Sequence, residues 1–259
     1  MIHYITVHFS SDKWVDIQLK HIEKFTSDYK VWCFFDEHMD TSPHKHKFNF
    51  LKNHDNIEGI SGSYDHATKL DNLFKIVAKD KNTKDDDVVI FLDSDAFPID
   101  NVNEYIEPKL KCYNLAGVSR PENDNGHCCI HPCFTFSTVG FWKKNNLTWH
   151  GVDMNFPIVN PINDTGGLLY QDISKKNIKC YKIYKTKKSS IDVHPAFFSS
   201  YGDIAYHHGA GSRKFFSRSE TAFIRKNRDF FNLKYSSINE LALREINNGY
   251  FINQIWKKK

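Results

Sequence analysis

At 259 residues, with 40% hydrophobic and 25% charged residues, the chain is long enough to bury a sizeable core and reads as a soluble, globular fold. Its formal net charge of +4 is too small to argue for a nucleic-acid partner, and no apolar run reaches the length of a membrane span. The six cysteines lack the spacing of a disulfide framework and Met1-Ile2-His3-Tyr4 lacks a signal-peptide pattern, which together predict reduced thiols in a cytoplasmic setting. The abundance of Lys and Asn fits an AT-rich microbial or viral genome.

Tyr4 to Phe9 reads as a first strand, and Ser10-Ser11-Asp12 offers caps for a helix carrying Val15, Leu19 and Ile22 on one stripe. Val31 to Phe35 is a second strand ending in Asp36. Strand, helix and strand in this order predict a parallel pair with a right-handed crossover. No GxGxxG follows the first strand, which argues against an NAD-type domain. The polar run His38 to Phe48, with His38, His44 and His46, is either a metal-binding cluster or a solvated loop, and the loop is the plainer reading. Ile57 to Ile60 suggests a short strand. Asp65 then caps a helix with Ala67, Leu70, Leu73, Phe74 and Val77 on one side, and with Lys69 and Asp71 on other faces near its start.

Asp85 to Pro98 is the most informative stretch. Three acidic residues give way to Val88-Val89-Ile90-Phe91-Leu92, which has no polar alternation and so predicts a central strand buried on both faces. It ends in Asp93-Ser94-Asp95. Ligands of open α/β sheets sit beyond the carboxyl ends of the strands, and two carboxylates one residue apart can approach a single hard cation such as Mg²⁺ or Mn²⁺. The alternative is a pair of turn aspartates.

A strand ending Phe91-Leu92-Asp93-Ser94-Asp95-Ala96 resembles the DxD segment of GT-A glycosyltransferases, closely over 85–100 and in outline over 1–215. The resemblance implies an α/β fold with a mostly parallel, Rossmann-type central sheet flanked by helices. It divides the chain into a nucleotide-sugar half (1–100), an acceptor half (101–215) and a helical C-terminal extension (216–259). It further implies Mn²⁺ or Mg²⁺ on Asp93 and Asp95, and donor contacts from His8, Phe9, Ser10, Asp36, Lys69, Asp71 and Ser94. The donor would be a UDP, GDP or dTDP sugar and the acceptor a glycan or glycoconjugate hydroxyl.

Further along, Val102 to Ile106 reads as a short helix stopped near Pro108, and Leu115 to Val118 as a strand. Residues 119–135 read as a long polar loop holding His127-Cys128-Cys129-Ile130-His131-Pro132-Cys133, whose spacing does not fit a structural zinc site. Phe134 to Trp142 begins as a strand, and Trp142 and Trp149 are either sugar-stacking platforms or core. Asn163-Asp164-Thr165-Gly166-Gly167 predicts a capped turn into a helix over 168–173. The resemblance implies that an inverting enzyme's catalytic base sits at the start of a late helix. Asp164 holds that place by order along the chain, without the usual Glu-Asp sequence, and Asp172 and Asp153 are the weaker alternatives. Seven lysines between Lys175 and Lys188 suggest an edge strand guarded against aggregation. Ile204-Ala205-Tyr206 leads into His207-His208 and a glycine loop, and the resemblance implies that one of these histidines, His208 or His207, returns to the metal while Arg213 pairs with the diphosphate. The basic tail, with a capping box at Ser237-Ile238-Asn239-Glu240, allows peripheral contact with anionic lipid. The function expected is metal-dependent, inverting hexosyl or pentosyl transfer. The alternatives are a haloacid-dehalogenase-like phosphatase with Asp93 as nucleophile, or a non-catalytic nucleotide- or carbohydrate-binding module.

Overall fold

The computed structural model describes residues 1–57, 62–120, 130–151, 164–187 and 199–209. Among them, β1 (Ile2–His8), β2 (Tyr29–Asp36), β3 (Phe50–His54), β4 (Val88–Asp93), β6 (Leu115–Ser119), β7 (Ile130–Thr138) and β8 (Cys180–Ile183) form a sheet in the order β3-β2-β1-β4-β7-β6-β8. All neighbouring pairs are parallel except those made by β7, which runs antiparallel to both β4 and β6. This is the α/β, mostly parallel sheet that the sequence predicts. A second, antiparallel sheet in the order β5-β11-β10-β9 is built from β5 (Ala96–Pro98), β11 (Ala205–His207), β10 (Ser199–Tyr201) and β9 (Lys185–Lys187).

The central strands bury alternate residues in two separate cores, as a pleated strand must when both its faces are covered. Ile2 and Tyr4 of β1, Val31, Cys33 and Phe35 of β2, and Ile90 and Leu92 of β4 share one core. That core is closed by α1 (Val15–Phe25), α3 (Val102–Cys112) and the small sheet. Ile5, Val7, Trp32, Phe34, Val89 and Phe91 face the other core, closed by α2 (Gly62–Lys79), α4 (Val139–Lys144) and α5 (Gly167–Lys175). The molecule is therefore three-layered, with the unalternated run 88–92 at its centre. No described helix is long and apolar enough to cross a membrane.

Several boundaries differ from expectation. The first helix starts at Val15, with Trp14 in the cap position and no side-chain cap, so Ser10-Ser11-Asp12 form the turn before it. The third strand is Phe50–His54 rather than 57–60, of which only Ile57 is described. Helix α3 runs through Pro108 to Cys112, with Asn101 capping Glu104 N. Strand β7 already starts at Ile130, inside the expected loop. Trp142 and Trp149 are fully buried against Phe91, at 4.6 and 5.0 Å between ring centroids, so they are core and not a sugar platform. Strands β8 and β9 are edges of their sheets, where lysines discourage further pairing. The C-terminal extension lies outside the described residues.

Gly166 enters α5 with φ of +89°, and a Cβ there would stand 2.3 Å from the carbonyl oxygen of Ile130. Gly166→Ala should therefore destabilise the fold by about 1–3 kcal/mol, since it combines a left-handed backbone with a clash against main chain. Thermal denaturation followed by circular dichroism checks this, and an unchanged midpoint would contradict the close approach of α5 to β7.

Candidate functional site

The sheet order places the site before any side chain is considered. From β1 the chain crosses to β2 and β3 on one side, and then returns to β4 on the other. The carboxyl ends of β1 and β4 thus flank the point where the winding reverses, which is where open α/β sheets leave a crevice. His8 ends β1, and Asp93, in register with Val7, ends β4.

Asp93-Ser94-Asp95 forms the turn from β4 into β5. A buried amide holds it: Gln18 of α1 donates to the carbonyls of Asp93 at 2.8 Å and Ala96 at 2.7 Å, at both ends of the turn. His8 lies against Gln18, with Nε2 3.3 Å from Oε1, and burial pulls its pKa down to about 4, so it is neutral near pH 7. Strand β5 continues from the turn and pairs with β11 in the register Ala96 with His207, Phe97 with Tyr206 and Pro98 with Ala205. The His208 amide extends this ladder to the carbonyl of Asp95 at 3.0 Å.

That pairing decides between the two candidate histidines. The Nε2 of His207 stands 3.3 Å from Asp93 Oδ2 and 3.3 Å from Asp95 Oδ1. Burial disfavours its positive charge, but Asp95 and Asp93 outweigh burial and raise the pKa to about 9. His208, the next residue of an extended strand, points the other way. Its Nδ1 meets the Tyr206 hydroxyl at 2.9 Å and its ring packs 4.5 Å from Trp14. Of the two, His207 meets the carboxylates and His208 is core.

Two further imidazoles border Asp93. His131 Nδ1, at the start of β7, lies 3.5 Å from Oδ2, and His66 Nε2, in the first turns of α2, lies 3.8 Å from Oδ1. Burial alone would raise the Asp93 pKa, but His131, His207 and His66 overcome it and bring it to about 2. Burial and the Arg120 guanidinium, 2.9 Å from His131 Nε2, keep His131 well below its usual range. Asp93 Oδ1 is buried and accepts no hydrogen bond from the described residues. An orphaned carboxylate oxygen beside a second carboxylate and an imidazole is a donor set that fits a divalent cation. Cys133 also reaches this place: one ligand atom each from Asp93, Cys133 and His207 lie within 4.8 Å of one another.

The other expected site residues divide into two groups. Phe9 is exposed and Ser10 follows it at the mouth of the β1–α1 turn. Asp36 lies beneath them, accepting the Ser10 amide at 3.0 Å and holding Lys69 at 2.9 Å. Lys69 is fully buried and also meets Asp65 at 2.8 Å and Asn56 at 2.6 Å, so its ammonium secures α2 to the end of β2. Asp71 points into the far side of α2, where it accepts the Thr148 hydroxyl and the Trp149 amide. Ser94 is buried in the turn. Asp164 is half-buried and is not a helix cap. Its carboxylate accepts the Thr165 amide, and the Thr165 hydroxyl donates to the Ser63 carbonyl at the start of α2. That contact keeps Asp164 on the carboxyl edge of the sheet. Asp172 pairs with Lys176, which also reaches Asn145 beyond α4 at the opposite edge, so it is not brought to the carboxylates. Arg213, Asp153 and the 127–129 part of the His/Cys cluster lie outside the described residues.

Gln18, His66 and Lys13 belong to no site motif in the sequence, whereas Cys133 stands in the His/Cys cluster whose spacing argues against structural zinc. Lys13 precedes α1, and burial lowers its pKa while the charge of Asp95 partly offsets that. For Gln18 a signal exists: it falls on the apolar stripe between Val15 and Ile22.

The neutral, buried His8 gives a pH dependence with a definite sign. Its folded pKa of about 4 lies below the usual unfolded value of about 6.5, so the unfolded chain binds the proton first. The stability present above about pH 6.5 should fall, by on the order of 3 kcal/mol from this group, as pH drops through 4. Urea unfolding between pH 7 and pH 4 measures the slope. His8→Gln keeps a donor for Gln18 and should flatten it, whereas an unchanged slope would mean that His8 is not what acid attacks.

No protein-family model and no curated protein matches the chain. Three glycosyltransferases of solved structure are similar to it in outline. The GlyE enzyme of Streptococcus pneumoniae TIGR4 is 14% identical over 56% of this chain, with a TM-score of 0.39. The galactosyltransferase LgtC, crystallised with donor and acceptor sugar analogs, is 10% identical over 70% of this chain and 72% of its own, with a TM-score of 0.43. TarS of S. aureus is 11% identical over 98% of this chain, with a TM-score of 0.48. The chain spans 36% of the length of GlyE and 44% of that of TarS.

Proposed function

We propose that the chain is a metal-dependent glycosyltransferase that moves a sugar from a nucleotide-diphosphate donor to a hydroxyl of a glycan or glycoconjugate, with inversion. The observation that carries this reading is the single imidazole nitrogen, His207 Nε2, 3.3 Å from both carboxylates of Asp93-Ser94-Asp95 at the carboxyl edge of the sheet. Asp93, Asp95 and His207 would hold Mn²⁺ or Mg²⁺. When bound, such an ion supplies Lewis-acid neutralisation of a departing diphosphate.

The chain's own residues do the rest. Gln18 fixes the turn, so the carboxylates are positioned before any ligand arrives. His66 borders Asp93 from α2, where it can meet phosphate oxygens. Exposed Phe9, with Ser10 above Asp36, offers a face for the nucleoside. Asp164 is the group proposed to take the acceptor's proton. A phosphatase built on Asp93 is less well supported, because both carboxylates are already turned towards one imidazole rather than divided into nucleophile and free acid.

Two measurements test the reading. In a thermal-shift panel of UDP, GDP, dTDP and CDP with and without Mn²⁺, one nucleotide should raise the melting point by several degrees only when Mn²⁺ is present. Ligand at about 100 times its Kd adds about 2.7 kcal/mol. Asp95→Asn should abolish that shift while the ligand-free midpoint stays close to wild type. A nucleotide shift indifferent to Mn²⁺ would end the metal-dependent reading.

Asp164→Asn should slow turnover by about 10²–10⁴-fold with donor binding unchanged, the loss expected for a general base. Near-normal turnover would remove Asp164 from the mechanism.

A further inference from the structure

We propose that the cation site includes the sulfur of Cys133, so that Asp93, His207 and Cys133 form a three-ligand site for a borderline-soft divalent ion of the zinc or cobalt(II) type, held more tightly than Mg²⁺. The proposal rests on the reading that Asp93 and His207 hold a cation, and it names which cations they favour. Strand neighbourhood brings the thiol there. Strands β4 and β7 are antiparallel and their pairing ends with Phe91 opposite Thr135. Asp93 and Cys133 each lie two residues beyond that last pair, at the same end of the two strands. His207 reaches Asp93 from β11.

The three ligand atoms already lie within 4.8 Å of one another. Ligands bound at about 2.0–2.3 Å around a tetrahedral ion are about 3.3–3.8 Å apart, so an inward shift of about 1 Å or less completes the site. The donors are one oxygen, one nitrogen and one sulfur. Mg²⁺ prefers six oxygens in a near-ideal octahedron, whereas zinc takes this mixed set and leaves a fourth position for a substrate oxygen. Asp93 Oδ1 and His207 Nδ1 are both buried without a hydrogen-bond partner among the described residues, so each of these two side chains has an uncommitted ligand atom. Coordination replaces the Cys133 thiol proton and the His207 imidazolium proton, both of which leave to solvent, and no electron is transferred.

Cobalt(II) titration of the full chain reads the sulfur directly. The wild type should take up one cobalt at this site with a near-ultraviolet sulfur-to-cobalt charge-transfer band. Cys133→Ser and Cys133→Ala should lose the band and weaken zinc binding by about 10–100-fold or more, while Mn²⁺ affinity measured by calorimetry stays within a few-fold. Retained Mn²⁺ binding also shows that the variants are folded. Cobalt binding without the band, or a band that survives both substitutions, overturns the sulfur ligand and leaves the carboxylate–histidine site standing. Failure of the wild type to bind Mn²⁺, zinc or cobalt overturns both.

Discussion

The site depends on a three-residue ladder between β5 and β11. These strands are separated by over a hundred residues, yet their backbone pairing alone carries His207 to the end of β4. Short strands contribute few hydrogen bonds, so the ladder relies on what is packed beneath it. Phe97 and Tyr206, directly opposite each other, approach to 5.0 Å between centroids. Phe97 lies 6.5 Å from Trp14 and 4.3 Å from His21 on the α1 side, and His208 covers Trp14. Cross-strand aromatic pairs of this kind typically add about 0.5–1.5 kcal/mol beyond area burial. His208 is thus as necessary as His207: one residue anchors the strand so that its neighbour can face the carboxylates. Closing so long a loop costs chain entropy, which the aromatic cluster helps to offset.

Around this ladder the carboxyl edge of the sheet is rich in buried polar groups. Asp36, Lys69 and Asp65 form one buried ion cluster, and Asp93, Asp95 and His207 another. Buried ion pairs gain little net stability, because desolvation offsets most of their attraction. What they gain is position. Lys69 ties the end of β2 to the first turns of α2, the same turns that present His66 to Asp93. Gln18 does the equivalent for the turn after β4, satisfying two carbonyls that an apolar side chain would leave bare. The two cores below supply the stability that these groups draw on.

How much of this was legible follows from the range of the interactions. The run 88–92 has no alternation because neighbours cover both its faces, and that is readable from one segment. The apolar stripes of α1 and α2 and the parallel pairing of β1 with β2 are local in the same sense. The choice of His207 over His208 is not local. It follows from period-two alternation in β11, but only once its partner strand is known. Strand β3 was missed because Phe50-Leu51-Lys52-Asn53-His54 is only partly buried along its length and carries little β-branched signal. Trp142 and Trp149 have the same composition whether they stack on a sugar or fill a core, and only the packing on Phe91 distinguishes the two. Lys69 reads as a solvated charge by type, and its burial shows only when Asp36 and Asp65 are seen on either side of it.

Among the described strands of the central sheet β7 alone is reversed, and that reversal explains how residues so far apart in the chain come to share one edge. Parallel strands deliver their carboxyl ends to that edge, which accounts for His8, Asp36 and Asp93. An antiparallel strand in the same sheet delivers its amino end. Strand β7 therefore presents Ile130, His131 and Cys133 where β1, β2 and β4 finish. The Ile130 carbonyl in turn receives the close approach of Gly166, which sets Asp164 and α5 beside the start of α2. Had β7 run parallel to β4, His131 and Cys133 would lie at the opposite edge, some nine residues of strand away at about 3.3 Å each. The reversal joins the half of the chain that holds the carboxylates to the half that approaches them from the other side, and it does so through backbone direction alone.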